Sequence, residues 1–267
     1  MTETIPKICT VCSAEALEIF SRSVVLKRYE ARFFLCRACG FVCSEEPFWL
    51  EEAYAEAITG SDVGLVQRNI QLAAVATVLI STFFARAGRF IDYAGGYGMF
   101  VRLMRDNGFM FSWHDKYCRN EFARGFEGDA DAGPYELLTA FEVFEHLVDP
   151  VAELSAMLAY SDSILFTTQL LPEPAPRPEE WWFYGLEHGQ HISFFTRTSL
   201  EVLGARFGLK LYTNGRSMHL LTKRRLNGGL FALLARYNVS RFLSPFCHGK
   251  SLLPSDYHAV TGGDLSP

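Results

Sequence analysis

The sequence predicts an α/β fold, in which a doubly wound parallel sheet carries an antiparallel hairpin at its edge and follows a small cysteine-rich module. Between residues 89 and 222, short apolar strands alternate with helical segments, which is the pattern of parallel βαβ units. A glycine-rich turn follows the first of these strands. Two Cys-x-x-Cys pairs lie within residues 1–45. These three observations define the expected fold class.

The composition is that of a folded protein with a sizeable core. The chain has 267 residues, of which 49% are hydrophobic and 21% are charged, enough for one large domain with an appendage or for two modest domains. A formal net charge of -5 and the lack of a basic stripe count against a nucleic-acid partner. We expect no signal peptide, because residues 1–6 are polar and no apolar stretch follows them. The longest apolar run, residues 70–87, is too polar to span a membrane. We therefore expect a cytoplasmic protein whose seven cysteines are reduced or bind metal.

Composition and periodicity divide the chain into four segments. We assign a cysteine-rich module to residues 1–45, a helical connector to 46–88, the main α/β domain to 89–225, and a C-terminal tail with one helix to 226–267. Predicted strands of the main domain cover residues 89–94, 109–113, 135–140 and 163–168, and predicted helices cover 97–107, 151–159 and 196–207. The tail helix is expected at residues 229–242.

The two edges of the predicted sheet differ. Strands at residues 210–213 and 218–222 should form a hairpin around Asn214-Gly215, which is typical of a two-residue turn. At the other edge, the interval from Asn120 to Tyr135 is too short for another full helix and strand. We therefore expect that edge to be shortened.

The strand, turn and helix that begin at Phe90 predict a cofactor site. Glycines let a ligand approach the backbone, and the following helix presents free N–H groups. Asp92 at the strand end would repel a pyrophosphate but suits a ligand with an ammonium or sulfonium group. Asp115, at the end of the next strand, can accept both ribose hydroxyls. This pair predicts S-adenosylmethionine (SAM), with contacts from Asp92, Ala94, Gly95, Gly96, Tyr97, Gly98 and Asp115.

Three motifs resemble the class I SAM-dependent methyltransferases. The first is the acid followed by alternate glycines, here Asp92, Ala94, Gly96 and Gly98, with Ala94 in place of the first glycine. The runs Thr-Ala-Phe-Glu-Val-Phe-Glu-His-Leu-Val-Asp-Pro at 139–150 and His-Ile-Ser-Phe-Phe at 191–195 resemble the methyltransferase domain 23 subgroup. The resemblance spans about residues 88–225 and implies a Rossmann-like fold, with Phe141 and Glu142 as further cofactor contacts.

The acid that often touches the adenine amine in that family has two weak candidates here. These are Asp129 and Asp131, in the short interval before the third predicted strand. We interpret both as residues of a solvated loop.

The two Cys-x-x-Cys pairs predict a structural zinc site formed by Cys9, Cys12, Cys36 and Cys39. Gly40 eases the turn after the second pair, and four thiolates leave no open position for a substrate. A four-cysteine module before a methyltransferase domain resembles the sugar C-methyltransferases that act on nucleotide-linked deoxysugars. A related zinc module also occurs in some ribosomal-RNA methyltransferases, so RNA stays open as a substrate.

The segment from Trp181 to His191 predicts the site of the methyl acceptor. Its aromatic faces suit sugar rings and a sulfonium cation, although plain core packing is the alternative for Trp181 to Tyr184. Alternate prolines at residues 172–178 precede it, as a rigid connector or a substrate lid. We expect His191 to be the general base, with His188 and Glu187 in reserve, because histidine titrates near neutral pH.

The same segment carries a departure from the sugar C-methyltransferases. Their Glu-His pair before a Ser-aromatic-aromatic run corresponds here to Gln190-His191, so a glutamine replaces the glutamate. We interpret His146, in the run after the third predicted strand, as a structural histidine.

The sequence as a whole predicts SAM-dependent methyl transfer to a small molecule. We favour a sugar or nucleotide-linked sugar in polysaccharide or secondary-metabolite biosynthesis, an acceptor class that rests on the resemblance alone. The alternatives are an RNA or protein methyltransferase, or a non-catalytic module that binds SAM or interacts through its zinc site. The glycine turn, Asp115 and the His/Glu cluster count against the last of these. We expect neither a nucleic acid nor a membrane as a partner.

Overall fold

The fold is built on two sheets, seen in a computed structural model that describes residues 8–15, 17–55 and 63–265. Outside these described residues lie residues 1–7 and 16 of the predicted module, 56–62 of the connector and 266–267 of the tail. The strands are β1 (Leu17–Val25), β2 (Tyr29–Cys36), β3 (Val42–Ser44), β4 (Arg89–Tyr93), β5 (Met110–His114), β6 (Leu137–Ala140), β7 (Ser163–Thr167), β8 (Ser193–Phe194), β9 (Lys210–Thr213) and β10 (Met218–Thr222). The helices are α1 (Leu50–Ala53), α2 (Leu65–Phe83), α3 (Met99–Asp106), α4 (Pro150–Leu158), α5 (Arg197–Ala205), α6 (Gly228–Leu234), α7 (Tyr237–Cys247) and α8 (Leu253–Thr261).

The main sheet has six strands in the order β5-β4-β6-β7-β10-β9. The first four are parallel, β10 runs antiparallel to β7, and β9 runs antiparallel to β10. The expected Rossmann-like sheet with an antiparallel hairpin at its edge is therefore confirmed.

The hairpin loop is longer than the predicted two-residue turn, which was wrong. Thr213 pairs with His219, and the Asn214 backbone N–H donates to the Met218 carbonyl at 3.0 Å. The Asn214 side-chain oxygen accepts hydrogen bonds from the backbone N–H groups of Arg216, Ser217 and Met218. This side chain stabilises a wider loop than an Asn-Gly turn requires.

The opposite edge of the sheet is shortened, as expected. Within the described residues no strand lies beyond β5, and only an isolated parallel bridge joins Trp113 to Glu127. Residues between β5 and β6 therefore cross the edge as a loop.

Both faces of the main sheet are covered by helices. Neighbouring residues of each strand point to opposite faces: Phe90, Leu137 and Leu165 pack with α2 and α3, while Ile91, Leu138 and Ile164 pack with α4 and α5. Helices α6 and α7 join the α2 side, where α7 contacts α2 extensively. Burial on both faces explains why these strands read as continuous apolar runs.

The second sheet joins the N-terminal segment to the rest of the chain. Its order is β1-β2-β3-β8, so the fourth strand comes from a much later part of the sequence. The Trp49 indole N–H donates to the Gly189 carbonyl at 2.8 Å, and Ser23 bonds to Glu179 beyond the proline-rich loop. Residues 172–180 therefore pack against the N-terminal sheet.

The C-terminal tail contains three helices, α6, α7 and α8, where the sequence predicted one. The single-helix prediction was wrong, because α6 ends with its cap at Ala235 and α7 begins only after Arg236. The Asn214 side chain donates to the Ala235 carbonyl at 3.1 Å and satisfies the end of α6. Helix α8 is held by Asp256, which pairs with Arg102 and Arg105 of α3. No helix in the described part of the chain is long and apolar enough to cross a bilayer.

Candidate active site and cysteine cluster

The turn between β4 and α3 has a backbone that favours glycine at several positions. Ala94, Gly96 and Gly98 have φ values of 54°, 53° and 85°, in the left-handed region. A Cβ on Gly98 would lie 2.7 Å from the side-chain oxygen of Asn120, whereas one on Gly96 would meet no heavy atom within 4 Å. Packing therefore requires a glycine at 98, and the space above Gly96 is open to a ligand.

Two carboxylates flank this turn, at the carboxyl ends of β4 and β5. Asp92 is 4% exposed, and its Oδ1 accepts a hydrogen bond from the Thr139 hydroxyl at 2.6 Å. Burial raises the pKa of Asp92 to about 7. Asp115 Oδ2 accepts from the Gly96 N–H at 2.9 Å, and its Oδ1 accepts from two following backbone N–H groups. Asp115 thus ties the end of β5 to the glycine turn.

Trp113 also shapes the turn, although sequence reasoning did not single it out. Its indole N–H donates to the Gly96 carbonyl at 2.9 Å, and so joins β5 to the turn that follows β4. A tryptophan near the end of a strand was the only signal, and it does not distinguish this contact from core packing.

The other predicted cofactor residues lie at the same edge of the sheet. The Tyr97 carbonyl accepts from the backbone N–H groups of Glu121 and Phe122. Phe141 packs edge-on against Phe100, with ring centroids 4.9 Å apart. Glu142 has a φ of 55°, and its carboxylate accepts from the Thr167 hydroxyl at 2.7 Å. The structure therefore brings the predicted residues of β4, β5 and β6 together.

Gly95 lies in the glycine turn, whereas the two weak candidates for an adenine contact, Asp129 and Asp131, lie in the loop before β6. A Cβ on Gly95 would lie 2.8 Å from a carboxylate oxygen of Asp92, so this position must also stay small. Asp129 and Asp131 are exposed, and Asp129 accepts from the Ala132 N–H at 2.8 Å within its own loop.

The four cysteines lie in one compact group. Their sulfurs are within 4.8 Å of one another, with 3.8 Å between Cys9 and Cys39 and 3.5 Å between Cys12 and Cys36. A tetrahedral zinc with Zn–S bonds of about 2.3 Å needs sulfurs about 3.8 Å apart. The hydrogen bond from the Cys39 thiol lowers the pKa of Cys9 to about 5. The group therefore fits a closed zinc site.

Gly40 lets this cysteine group approach α5 closely. It has a φ of 73°, and a Cβ there would lie 2.9 Å from the Thr196 methyl group. The Thr196 hydroxyl donates to the Cys39 carbonyl at 2.8 Å and also caps α5. The cysteine group is thus packed against the main domain.

Three histidine rings meet where the run after β6 contacts the segment before β8. The ring centroid of His191 lies 4.9 Å from that of His146 and 4.7 Å from that of His188. His191 Nδ1 is 2.6 Å from the Phe183 carbonyl, and His146 Nδ1 is 3.1 Å from the Gln190 carbonyl and 2.9 Å from the Tyr54 hydroxyl. Burial lowers the pKa of His191 to about 3 and that of His146 to about 4, so both rings are neutral. The expectation that His191 titrates near neutral pH is therefore wrong, because the ring is buried.

Glu145 lies beside these histidines and was given no role by the sequence. It is fully buried, and neither carboxylate oxygen has a hydrogen-bond partner among the described residues. Burial first, and the charge of Glu142 second, raise the pKa of Glu145 well above its usual value. Its position is fixed by its backbone carbonyl, which accepts from the Ile192 N–H at 2.8 Å.

The remaining residues of the predicted acceptor segment do not converge on one place. Glu187 is exposed, and its carboxylate lies 3.8 Å from the Lys27 ammonium. His188 Nδ1 accepts from the Gln190 N–H at 3.2 Å. Phe183 and Tyr184 are buried in the core of the second sheet, whereas Trp182 is 75% exposed. Most of the aromatic run is therefore core packing.

The turn and the sheet define the class of protein. An acid followed by a glycine turn, at the carboxyl end of a central strand in a doubly wound sheet with an antiparallel hairpin, is the arrangement of class I SAM-dependent methyltransferases. The family described as Methyltransferase domain matches residues 66–214, more than half of the chain. The chain belongs to this family.

Solved structures of methyltransferases resemble the chain at low identity. The calicheamicin biosynthesis methyltransferase CalO1 is 16% identical over 67% of this chain and 60% of that one, with a TM-score of 0.42. Human N-acetylserotonin methyltransferase is 14% identical over 66% of each chain, with a TM-score of 0.41. Magnesium protoporphyrin IX methyltransferase from Synechocystis PCC 6803 is 14% identical over 65% of this chain and 92% of that one, with a TM-score of 0.43. The match spans less than two thirds of the first two proteins, and a search of curated proteins finds no match.

Proposed function

We propose that this chain transfers the methyl group of SAM to a small-molecule acceptor, a sugar or nucleotide-linked sugar in polysaccharide or secondary-metabolite biosynthesis. The observation that carries the proposal is the open, glycine-lined turn above Gly96, which lies between the carboxylates of Asp92 and Asp115. SAM supplies a methyl carbon activated by a sulfonium. The chain must hold that cofactor and align an acceptor with it.

The cofactor contacts follow from the chemistry of the two acids. Asp92 is buried without a cationic partner in the described residues, and a cationic ligand would favour its ionised form. Asp115 is positioned at the end of β5 by three backbone N–H groups, where it can meet ribose hydroxyls. Tyr97, Phe141 and Glu142 extend the same edge as further contacts.

His191 is the proposed proton acceptor. Its Nδ1 faces the Phe183 carbonyl, which can only accept, so Nδ1 carries the hydrogen and Nε2 has the free lone pair. This contact fixes the tautomer of a neutral ring. His188 and Glu187 are the reserve, although the exposure of Glu187 and its proximity to Lys27 favour His191 over it.

The sugar acceptor rests on the resemblance and not on a feature of the fold. Gln190, at the position of that family's glutamate, is buried and donates to the Ala53 carbonyl at 2.7 Å. A glutamate could not donate this hydrogen bond when ionised, so the residue acts here as a structural donor. The acceptor chemistry therefore depends on His191 and its neighbours.

The cysteine group is proposed to bind one zinc ion through Cys9, Cys12, Cys36 and Cys39. The support is the sulfur geometry and the lack, among the described residues, of a further ligand that is not a thiolate. None of the seven cysteines forms a disulfide, which supports the proposed cytoplasmic location.

A methylation assay with labelled SAM tests the proposal. Nucleotide sugars, bulk RNA and protein extracts are offered separately, and the expected product is a methylated sugar nucleotide. Methylation of RNA or protein, and not of a sugar nucleotide, would reject the sugar as the acceptor. Binding of SAM without turnover on any acceptor would favour the non-catalytic alternative.

The His191→Ala variant is expected to bind S-adenosylhomocysteine like the parent and to turn over about 10²- to 10⁴-fold more slowly, because a positioned base is lost. Calorimetry and steady-state kinetics measure the two quantities separately. Turnover within about threefold of the parent would reject His191, and the same measurement on His188→Ala and Glu187→Ala identifies the reserve.

A further inference from the structure

We propose that Glu145, His146 and His191 form a second metal site, which binds a divalent transition-metal ion through one carboxylate and two imidazoles. One ligand atom from each residue lies within 4.8 Å of the others. The cluster shares no residue with the four cysteines.

Glu145 provides the first argument for a cation. The residue is fully buried, with 0% exposure. Its two carboxylate oxygens have no hydrogen-bond partner among the described residues. Buried polar groups in folded proteins are almost always hydrogen-bonded or bound to a metal. The charge of Arg68 acts to lower the pKa of Glu145, but both carboxylate oxygens still lack a hydrogen bond. A cation between the carboxylate and the two rings would supply that missing bond.

The orientation of the two histidines provides the second argument. His146 Nδ1 faces the Gln190 carbonyl at 3.1 Å, and His191 Nδ1 faces the Phe183 carbonyl at 2.6 Å. Because a carbonyl only accepts, His191 Nδ1 carries the hydrogen and its Nε2 is left as a ligand atom. The Gln190 carbonyl favours the same tautomer in His146, whose Nδ1 also lies 2.9 Å from the Tyr54 hydroxyl, a group that can donate or accept. Histidines that bind metals are held in this way, with the second ring nitrogen bonded to a carbonyl or carboxylate.

The backbone around the cluster is already fixed. The Ile192 N–H donates to the Glu145 carbonyl at 2.8 Å, and the Ser193 hydroxyl donates to the Leu147 carbonyl at 2.6 Å. These bonds join the two segments that carry the ligands. The Tyr54 hydroxyl, 2.9 Å from His146 Nδ1, adds a contact from the outside. The three ligands are therefore presented by a supported frame.

The ligand set decides the class of ion. Two imidazoles and one carboxylate suit Zn²⁺, Fe²⁺, Ni²⁺ or Co²⁺ and are unsuited to Mg²⁺ or Ca²⁺, which prefer all-oxygen shells. Three protein ligands leave at least one position open, in contrast with the closed four-cysteine group. That open position can hold water or an oxygen atom of a bound small molecule.

A bound ion also changes what His191 can do, and this consequence rests on the proposed function. The ion and an incoming proton would use the same Nε2 lone pair, so a metal-loaded chain cannot use His191 as a base. Metal binding is therefore expected to inhibit methyl transfer reversibly.

Cobalt provides the direct test, using Co²⁺ as the probe and the full chain purified with zinc. Thiolate ligands give strong sulfur-to-cobalt charge-transfer bands, whereas nitrogen and oxygen ligands give only weak ligand-field bands. We expect Co²⁺ to add one ion with ligand-field bands alone, while the bound zinc stays in place. A chain that takes up no cobalt, or only cobalt with charge-transfer bands, would overturn the second site.

Matched variants assign the ligands. Glu145→Gln keeps the shape of the side chain and removes its charge, and His146→Ala removes one ring; both should weaken Co²⁺ binding by more than about 100-fold, beyond the range of outer-shell changes. His188→Ala removes a neighbouring ring that is outside the ligand set and should bind Co²⁺ like the parent. Parent-like binding by Glu145→Gln would overturn the assignment, even if His146→Ala fails to fold.

The metal site and the proposed function can fail separately. A chain that methylates a sugar nucleotide but shows no second Co²⁺ site retains the function and loses the metal proposal. A chain that binds Co²⁺ through these residues but methylates none of the acceptors retains the metal site and loses the function. Both proposals are supported if Co²⁺ inhibits methyl transfer by the parent, a chelator reverses this inhibition, and the Glu145→Gln variant is not inhibited.

Discussion

Gly96 and Gly98 lie in the same turn but are glycines for different reasons. The Cβ of Gly98 would collide with Asn120, whereas that of Gly96 would enter the open space above the turn. Gly215 offers a control, since it also has a positive φ and no heavy atom within 4 Å of its Cβ, but it lies in the β9–β10 loop. The three positions separate backbone strain, packing and ligand approach.

Alanine at each of these positions has a distinct expected effect. Gly96→Ala and Gly215→Ala should each lose about 1–2 kcal/mol of stability, because alanine tolerates a left-handed φ poorly. Gly98→Ala should lose more, because the collision adds to the same strain. Only Gly96→Ala among the stable variants should weaken S-adenosylhomocysteine binding. Thermal unfolding and calorimetry measure these effects, and equal affinities for Gly96→Ala and Gly215→Ala would mean that the cofactor does not approach the turn.

Asp92 makes the stability of the chain depend on pH in an unusual direction for a carboxylic acid. Burial raises its pKa in the folded chain to about 7. The folded state therefore holds a proton that the unfolded state releases at a lower pH. The stabilisation from this proton is fully present below the unfolded pKa and is lost as pH rises through about 7.

Asp92→Asn should remove this dependence, because the amide is neutral and keeps an oxygen for the Thr139 hydroxyl. Relative to the parent, the variant should gain melting temperature between about pH 5 and about pH 8. Scanning calorimetry without ligand at the two pH values tests this. A constant difference would show that Asp92 is ionised throughout.

At the scale of the element, α8 is attached to α3 by a buried charge. Asp256 is 4% exposed and pairs with Arg105 at 2.6 Å and with Arg102 at 2.8 Å. The exposed pair of Lys223 and Asp162, 2.7 Å apart, provides a comparison with similar distance and little burial.

Asp256→Ala should cost about 3–5 kcal/mol of unfolding free energy, because it leaves two arginines without their buried partner. Asp162→Ala should stay within about 1 kcal/mol of the parent, as exposed pairs do. Denaturant unfolding followed by circular dichroism measures both. Equal losses in the two variants would show that burial of the Asp256 pair contributes nothing.

Periodicity predicts some elements better than others for a physical reason. The strands of the main sheet are buried on both faces, so their apolar runs in the sequence are sufficient to place them. At the break between α6 and α7, the Ala235 carbonyl accepts a hydrogen bond from Asn214 in a distant loop. No local pattern carries that information, so periodicity alone predicts one helix in the tail.

The residues of the candidate site likewise divide into those that the local sequence predicts and those that it does not. The acid and glycines of the first motif were predictable, because the residues that form one turn are adjacent in the sequence. Glu145 and Trp113 were not, because their surroundings come from segments far away along the chain. The long-range contact that joins Glu145 to Ile192 has no counterpart in spacing.

At the scale of the whole molecule, the cysteine group belongs to the same apolar cluster as part of the main domain. Cys9, Cys36 and Cys39 pack in one cluster with Phe195 and Leu200. Loss of the proposed zinc ion should therefore disturb more than the N-terminal segment, because metal binding supplies folding energy to whatever packs on it.

Cys36→Ser is expected to lose zinc and to lower the melting temperature of the chain in a single transition. Cys247→Ser, which removes a thiol outside the cysteine group, should keep zinc and melt like the parent. Metal analysis and scanning calorimetry provide the two readings. Two separate transitions, or an unchanged melting temperature without zinc, would show that the segments fold independently.

The pairing of β3 with β8 has a consequence for how the chain is made. During translation, β1, β2 and β3 leave the ribosome early, but the strand that completes their sheet lies at Ser193–Phe194. At about 5–20 residues per second, the edge of β3 remains unpaired for roughly 7–30 s before its partner strand is made. The second Cys-x-x-Cys pair is complete at Cys39, before that wait begins. Zinc captured at that moment would hold the nascent hairpin closed and keep its bare edge from pairing with a neighbouring polypeptide.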